Sequence, residues 1–145
     1  MKAYEILLVE DNQSYVSLIM EALKESQVLT NINVVMDGAE AMAFVHRESK
    51  YVHSPRPDLI LLDLNIPKKK GQKVLEEIKN DPDLKRIPVV IFTVSSAEQD
   101  ILMSYNLHAN CYIIKPKNLD QFMEVVKSTI NFWFTVVTLP PEPND

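Results

Sequence analysis

The sequence has almost no glycine and a single cysteine. Gly38 and Gly71 stand alone, so there is neither a G-x-G-x-x-G turn nor a Walker loop. That excludes the usual backbone cradles for dinucleotides and nucleoside triphosphates. Cys111 has no partner for an intramolecular bridge, and 145 residues can bury a sufficient core without one. No apolar run approaches the ~18 residues of a membrane span, and no charged, then apolar, leader opens the chain. These absences point to a reducing cytoplasm and no membrane contact. His46, His53 and His108 lack metal-ligand spacing. A net charge of -5, with both signs interspersed, argues against a nucleic-acid partner; the one dense basic run is Lys68-Lys69-Lys70.

What the chain does have is strict alternation of two periodicities. Tyr4–Val9 reads as a first strand, and Val16, Ile19, Met20 and Leu23 follow at helical spacing after candidate caps Asn12 and Ser14, to about Ser26. Ile32–Met36 is a short second strand. The Asp37-Gly38 turn leads into a helix carrying Ala39, Met42, Ala43 and Phe44, and a connector over 47–57, broken by two prolines, follows. Asp58–Leu62 is a third strand whose four aliphatics, 59–62, are unbroken by any polar residue and end at Asp63. Gly71 opens a helix with Val74, Leu75 and Ile78 inward, closed by Asp81-Pro82. Val89–Phe92 is a fourth strand stopping at Thr93. A helix capped by Ser95 or Ser96 runs to about Tyr105 with Ile101 and Leu102 inward, and Cys111–Ile114 is a fifth strand before Lys115-Pro116. The last helix starts near Asn118 with Leu119, Phe122, Val126, Ile130 and Trp133 on one stripe, and residues 140–145 form a frayed tail.

Five strand-helix units imply an α/β, doubly wound, five-stranded parallel sheet with right-handed crossovers. The third strand is wholly apolar and belongs in the centre, which selects the flavodoxin-like order 2-1-3-4-5 over 3-2-1-4-5. One domain is expected over 1–145, with its core over about 4–133 and a C-terminal extension over 134–145. In this order strands 1 and 3 are neighbours, about 4.8 Å apart, so Glu10, Asp11 and Asp63 share a pocket. Three carboxylates together require a cation, and hard oxygen ligands beside solvent suit Mg²⁺. The fourth strand brings the Thr93 hydroxyl to the same rim and the fifth brings Lys115. These are the parts of phosphoryl transfer to Asp63 from an external donor.

Glu10-Asp11, Asp63, Thr93 and Lys115-Pro116, each after the appropriate strand, resemble a response-regulator receiver domain, and the resemblance spans about 4–133. It implies that Asp63 accepts phosphate from a histidine kinase, and that Asp11, Asp63 and the backbone carbonyl of Asn65 ligate Mg²⁺ with Glu10 acting more indirectly. It further implies that Thr93 and Tyr112 act as a switch pair and that Lys115-Pro116 is a cis peptide bond. The stretches Ser54-Pro55-Arg56-Pro57, Leu62 to Lys68, Leu84 to Pro88 and the Phe132-Trp133 to Pro140 ending resemble the single-domain regulators that partner bacterial phytochrome kinases. Two positions depart from the family pattern: Lys70 replaces an acid before Gly71, and Val94 is bulkier than the very small residue usual after the threonine.

The resulting reading is a stand-alone phosphorylatable switch rather than an enzyme acting on other substrates. The rivals are a small Mg²⁺-dependent aspartyl-phosphate phosphatase, which lacks a general acid where Asn65 stands, and a degenerate receiver acting as a scaffold. Phe132-Trp133-Phe134 cannot all face one core, because helical neighbours lie about 100° apart. A homodimer through the face formed by helix 4, strand 5 and helix 5 is therefore expected.

Overall fold

The computed structural model describes residues 2–143. Five parallel strands, β1 (Tyr4–Val9), β2 (Thr30–Val35), β3 (Leu59–Leu62), β4 (Val89–Thr93) and β5 (Cys111–Ile114), form one sheet in the order β2-β1-β3-β4-β5. Between and after them run α1 (Gln13–Glu25), α2 (Gly38–Val45), α3 (Gly71–Asn80), α4 (Glu98–Asn106) and α5 (Leu119–Asn131). The expected flavodoxin-like order is the one found.

The unbroken apolar strands serve two cores at once. Leu7, Val9, Ile60, Leu62, Val89 and Ile91 face α2 and α3, while Ile6, Leu8, Leu59, Leu61, Val90 and Phe92 face α1 and α5. Side chains alternate across a strand, so a strand covered on both faces needs apolar residues at every position. All four residues of β3 are buried, worth on the order of 10 kcal/mol in total at 1.5–3 kcal/mol each. Three of the five α-helices begin where polar caps stand: the Asn12, Asp37 and Asn118 side chains accept from the backbone N–H of Tyr15, Glu40 and Gln121.

Several local expectations need correction. β2 starts at Thr30, because the parallel pairing Tyr4 with Thr30 extends it backward beyond its apolar residues. The connector contains a short 3₁₀ turn, Ser49–Tyr51, lying ahead of its prolines. α4 is not capped by Ser95 or Ser96, since Ala97 precedes it without a side-chain bond, and Leu102 points outward at 63% exposure. Leu119 is likewise exposed, and Trp133 is half-buried. The described chain contains no cis peptide bond, so Lys115-Pro116 is trans. The tertiary amide before proline separates the isomers by only ~0.5–1 kcal/mol, and the trans connection already carries Lys115 to its partners.

Beyond α5 the chain widens into a π turn, Phe132–Val136, with the Val137 N–H donating to the Phe132 carbonyl. Phe134 is buried there and stacks on Tyr4 at 4.4 Å, whereas Phe132 is exposed. The tail is exposed but is not wholly detached, because Glu142 pairs with Lys2. Asn144 and Asp145 lie outside the described residues.

Candidate functional site

Strand order and register place the acids. β1 pairs with β3 from Ile6 with Leu59 to Val9 with Leu62, so Glu10 and Asp63 leave their strands side by side. The Asp63 N–H donates to the Val9 carbonyl at 3.1 Å and extends the ladder by one bond. One carboxylate oxygen from each of Glu10, Asp11 and Asp63 falls within 4.8 Å of the others. Glu10 (2% exposed) and Asp63 are buried, while Asp11 opens to solvent.

Lys115 closes the group from β5. Its N–H donates to the Thr93 carbonyl at 2.7 Å, which fixes the backbone at the rim, and its ammonium reaches the acids. Nζ donates to Glu10 Oε1 and, at 3.0 Å, to Asp63 Oδ2. It also lies 3.9 Å from the centroid of the Tyr15 ring, an attractive placement for a desolvated cation. The second oxygen of each acid is held locally: Asp63 Oδ1 accepts from the Asn65 N–H at 3.1 Å, and Glu10 Oε2 from the Asn12 N–H at 3.1 Å. Burial pushes the Glu10 carboxyl above its ordinary range; the bond and charge of Lys115 oppose this and the Asp63 charge adds to it.

The charge balance says what fits there. Three ionised carboxylates and one ammonium leave two negative charges, beside an exposed carboxylate open to water. A divalent cation that prefers oxygen ligands satisfies that deficit. The exposed Asn65 follows two residues after Asp63, so its backbone lies on the same loop.

Both glycines of the chain pack against this loop. A Cβ on Gly71 would stand 2.6 Å from the Asp63 carbonyl oxygen and from Leu64 Cα; one on Gly38 would stand 2.0 Å from the Lys69 carbonyl oxygen. Neither backbone could approach so closely with a side chain.

Thr93 is fully buried at the end of β4, beside β3. Two residues on, Ser95 collects bonds that no sequence pattern signals. Its carbonyl accepts the Tyr112 hydroxyl at 2.9 Å, and its hydroxyl donates to Asp100 on α4 at 2.6 Å. Tyr112 thus stands half-buried against the β4–α4 loop, joined to the segment that carries Thr93. Tyr15 was also missed, because a tyrosine on an amphipathic helix carries no signal of a lysine above its ring. Val94 is 53% exposed next to Thr93.

A family model described as the response regulator receiver domain matches residues 6–127. Response regulator Rcp1 of Synechocystis sp. is 50% identical over 135 residues, covering 93% of this chain and 92% of Rcp1. The phosphorylated cyanobacterial phytochrome response regulator RcpA superimposes with a TM-score of 0.93 at 52% identity, over 97% of this chain and 100% of RcpA. The Mn²⁺-bound form of Rcp1 gives a TM-score of 0.92 at 49% identity, over 95% and 99% of the two chains. With its acids, hydroxyl and lysine at the ends of the matching strands, this chain belongs to the response regulator receiver family, the signalling switches of two-component systems.

Proposed function

We propose that the protein accepts a phosphoryl group on Asp63 from a histidine kinase and uses it to alter protein contacts. The observation that carries this reading is the buried Asp63 carboxylate, held by Lys115 and the Asn65 N–H beside Glu10 and Asp11. An Asp63 oxygen forms the new P–O bond as the donor's P–N bond breaks, and the electron pair leaves with the donor imidazole, which takes a proton. Lys115 neutralises charge on the acceptor and then on the phosphoryl oxygens; the Thr93 hydroxyl donates to one of those oxygens. Asp11, Asp63 and the Asn65 carbonyl are the proposed ligands of Mg²⁺, with Glu10 holding Lys115 behind them. Bound Mg²⁺ supplies the divalent charge that offsets the remaining two negative charges.

The change is passed on through Thr93 and the Ser95–Tyr112 bond to α4 and β5. Leu102, Tyr105, Ile114 and Leu119 are all exposed on the α4–β5–α5 elements, and this apolar surface is the proposed homodimer face. The receiver works in the cytoplasm. Its likeness to RcpA supports a phytochrome as the kinase.

The test is intact-mass measurement after incubation with Mg²⁺ and a small phosphodonor, for the wild type and for Asp63→Asn. A phosphoryl adduct on the wild type alone is expected. An adduct of equal yield on Asp63→Asn, or none on either protein even with a range of histidine kinases, would sink the assignment. Sedimentation with and without a phosphate mimic tests the dimer: a monomer unchanged by concentration in both states removes it.

A further inference from the structure

Lys115 comes to Asp63 from β5, past the end of β4, so its flexible stem is steered across two strand spacings, roughly 10 Å. An ammonium carries three N–H donors. Glu10 and Asp63 accept two of them, and no third oxygen accepts from Nζ among the described residues. Instead Nζ lies over the ring of Tyr15, 3.9 Å from its centroid, with the centroid of Phe92 at 5.8 Å. The Lys115 side chain is almost wholly buried, so an aromatic face stands where bulk solvent otherwise would.

That ring is itself held in place. Asn12, the cap of α1, accepts the Tyr15 N–H on its side chain at 3.2 Å and donates its own N–H to Glu10 Oε2 at 3.1 Å. One cap residue therefore sets both the acid and the ring that Lys115 meets. Tyr15 stacks on Phe122 of α5, with 5.7 Å between centroids and 13° between planes, and Phe122 packs on Phe92 of β4 at 5.3 Å. Phe122 and Phe92 are both buried, and close packing against them fixes the plane of the half-buried Tyr15.

We propose that Tyr15 is a positioning residue for phosphoryl acceptance, its ring face keeping the Lys115 ammonium in front of Asp63. The inference rests on the reading of Asp63 as the phosphoacceptor. Glu10 Oε1 and Asp63 Oδ2 compete for one cation at the end of a long stem, and a third attractive surface limits how far it slides toward either. A charge stabilises the transferring phosphoryl group only from the right place, so a less well-held ammonium slows the step. Leucine at position 15 keeps much of the apolar volume but loses the ring quadrupole that attracts the cation. Phenylalanine keeps the quadrupole and loses only the hydroxyl.

The test measures the rate of Asp63 labelling by a small phosphodonor with saturating Mg²⁺, read by intact mass, for the wild type, Tyr15→Leu and Tyr15→Phe. Tyr15→Leu should label about three- to ten-fold more slowly, and Tyr15→Phe should return to within about two-fold of the wild type. In parallel, NMR follows the ε-methylene protons of Lys115 in the unphosphorylated proteins. Over a ring face they should resonate upfield of an exposed lysine and show contacts to the ring in the wild type and Tyr15→Phe, and the upfield shift should be lost in Tyr15→Leu. A wild type that labels at the same rate as Tyr15→Leu overturns this inference alone, as does equal slowing in the leucine and phenylalanine variants, which would assign the effect to the hydroxyl. Lys115 methylene protons without an upfield shift or ring contact in the wild type overturn it without any variant. No label on any of the three proteins overturns the phosphoacceptor reading, and the role of Tyr15 with it.

Discussion

Replacing Lys115 with methionine isolates the charge at the centre of the site. The methionine keeps most of the apolar stem beside Tyr15 but leaves two buried acids without their cation. The Lys115 side chain is 1% exposed and its partners 2% and 8%, so solvent screens the interaction little. Breaking such a pair by removing one member costs ~3–5 kcal/mol. At 2–4 °C per kcal/mol for a domain of this size, that is a fall of about 10 °C in Tm. The pH dependence follows from Glu10, whose folded pKa is already raised by burial and loses its main opposing influence in the variant. A carboxyl whose folded pKa exceeds its unfolded value destabilises the fold above the folded pKa, and the penalty is relieved as pH falls through that value. The difference from wild type in urea unfolding should therefore be larger at pH 7.5 than at pH 5.5. Mg²⁺ should restore more stability to the variant than to the wild type, because it brings a cation to the same acids. A loss below about 1 kcal/mol at pH 7.5, or the same loss at both pH values, would refute the account of these acids as a charge deficit compensated by Lys115.

Gly71→Ala forces a Cβ against the Asp63 and Leu64 backbone. It should cost ~1–3 kcal/mol in chemical denaturation and weaken metal affinity by moving the loop that carries Asn65; unchanged values would show that the loop gives way freely. Lys79 is buried enough to lower its pKa to about 8, and its ammonium donates to the Lys85 and Ile87 carbonyls at 2.9 Å each. Its folded pKa lies below the unfolded value, so the penalty is present below pH 8 and relieved as pH rises toward 10.5. Wild type should gain about 1 kcal/mol on Lys79→Met between pH 7 and 10, after discounting for its partial exposure; a flat difference contradicts the burial argument. Val94→Ala should speed labelling of Asp63 by small phosphodonors several-fold, because the isopropyl group stands at the rim beside Thr93. Equal rates would remove Val94 as a gate.

The sheet order was legible because β3 is apolar at every position, a pattern that only a strand covered on both faces requires. From that order the meeting of Glu10, Asp11 and Asp63 followed without any contact being known. The helix faces were less legible. Val74, Leu75 and Ile78 on α3 and Phe122, Val126 and Ile130 on α5 turn inward as their spacing predicts, yet Leu102 and Leu119 turn out. Helical spacing identifies a stripe, but tertiary context decides where the stripe stops and whether a partner rather than the core covers it. The isomer at Pro116 was illegible for another reason. The two amide forms are nearly equal in free energy before proline, so local sequence carries little information about which one the fold selects.

The misreading of α4 bears directly on switching. Ser104 is its only buried residue, and that hydroxyl is satisfied within the helix by the Asp100 carbonyl at 2.8 Å. Little apolar burial therefore holds α4 down, while Leu102, Met103 and Tyr105 face outward. The helix is fixed at its ends instead: Ser95 holds Asp100, and the Tyr105 hydroxyl accepts the Tyr112 N–H at 3.2 Å. A few hydrogen bonds, each worth ~0.5–1.5 kcal/mol net, are within the range that the proposed phosphoryl group, drawing on Thr93, would redistribute. The helices packed by buried aliphatic stripes lie beyond it. A displacement beginning at Asp63 would then be taken up by α4, the element whose placement depends on the loop that also carries Thr93.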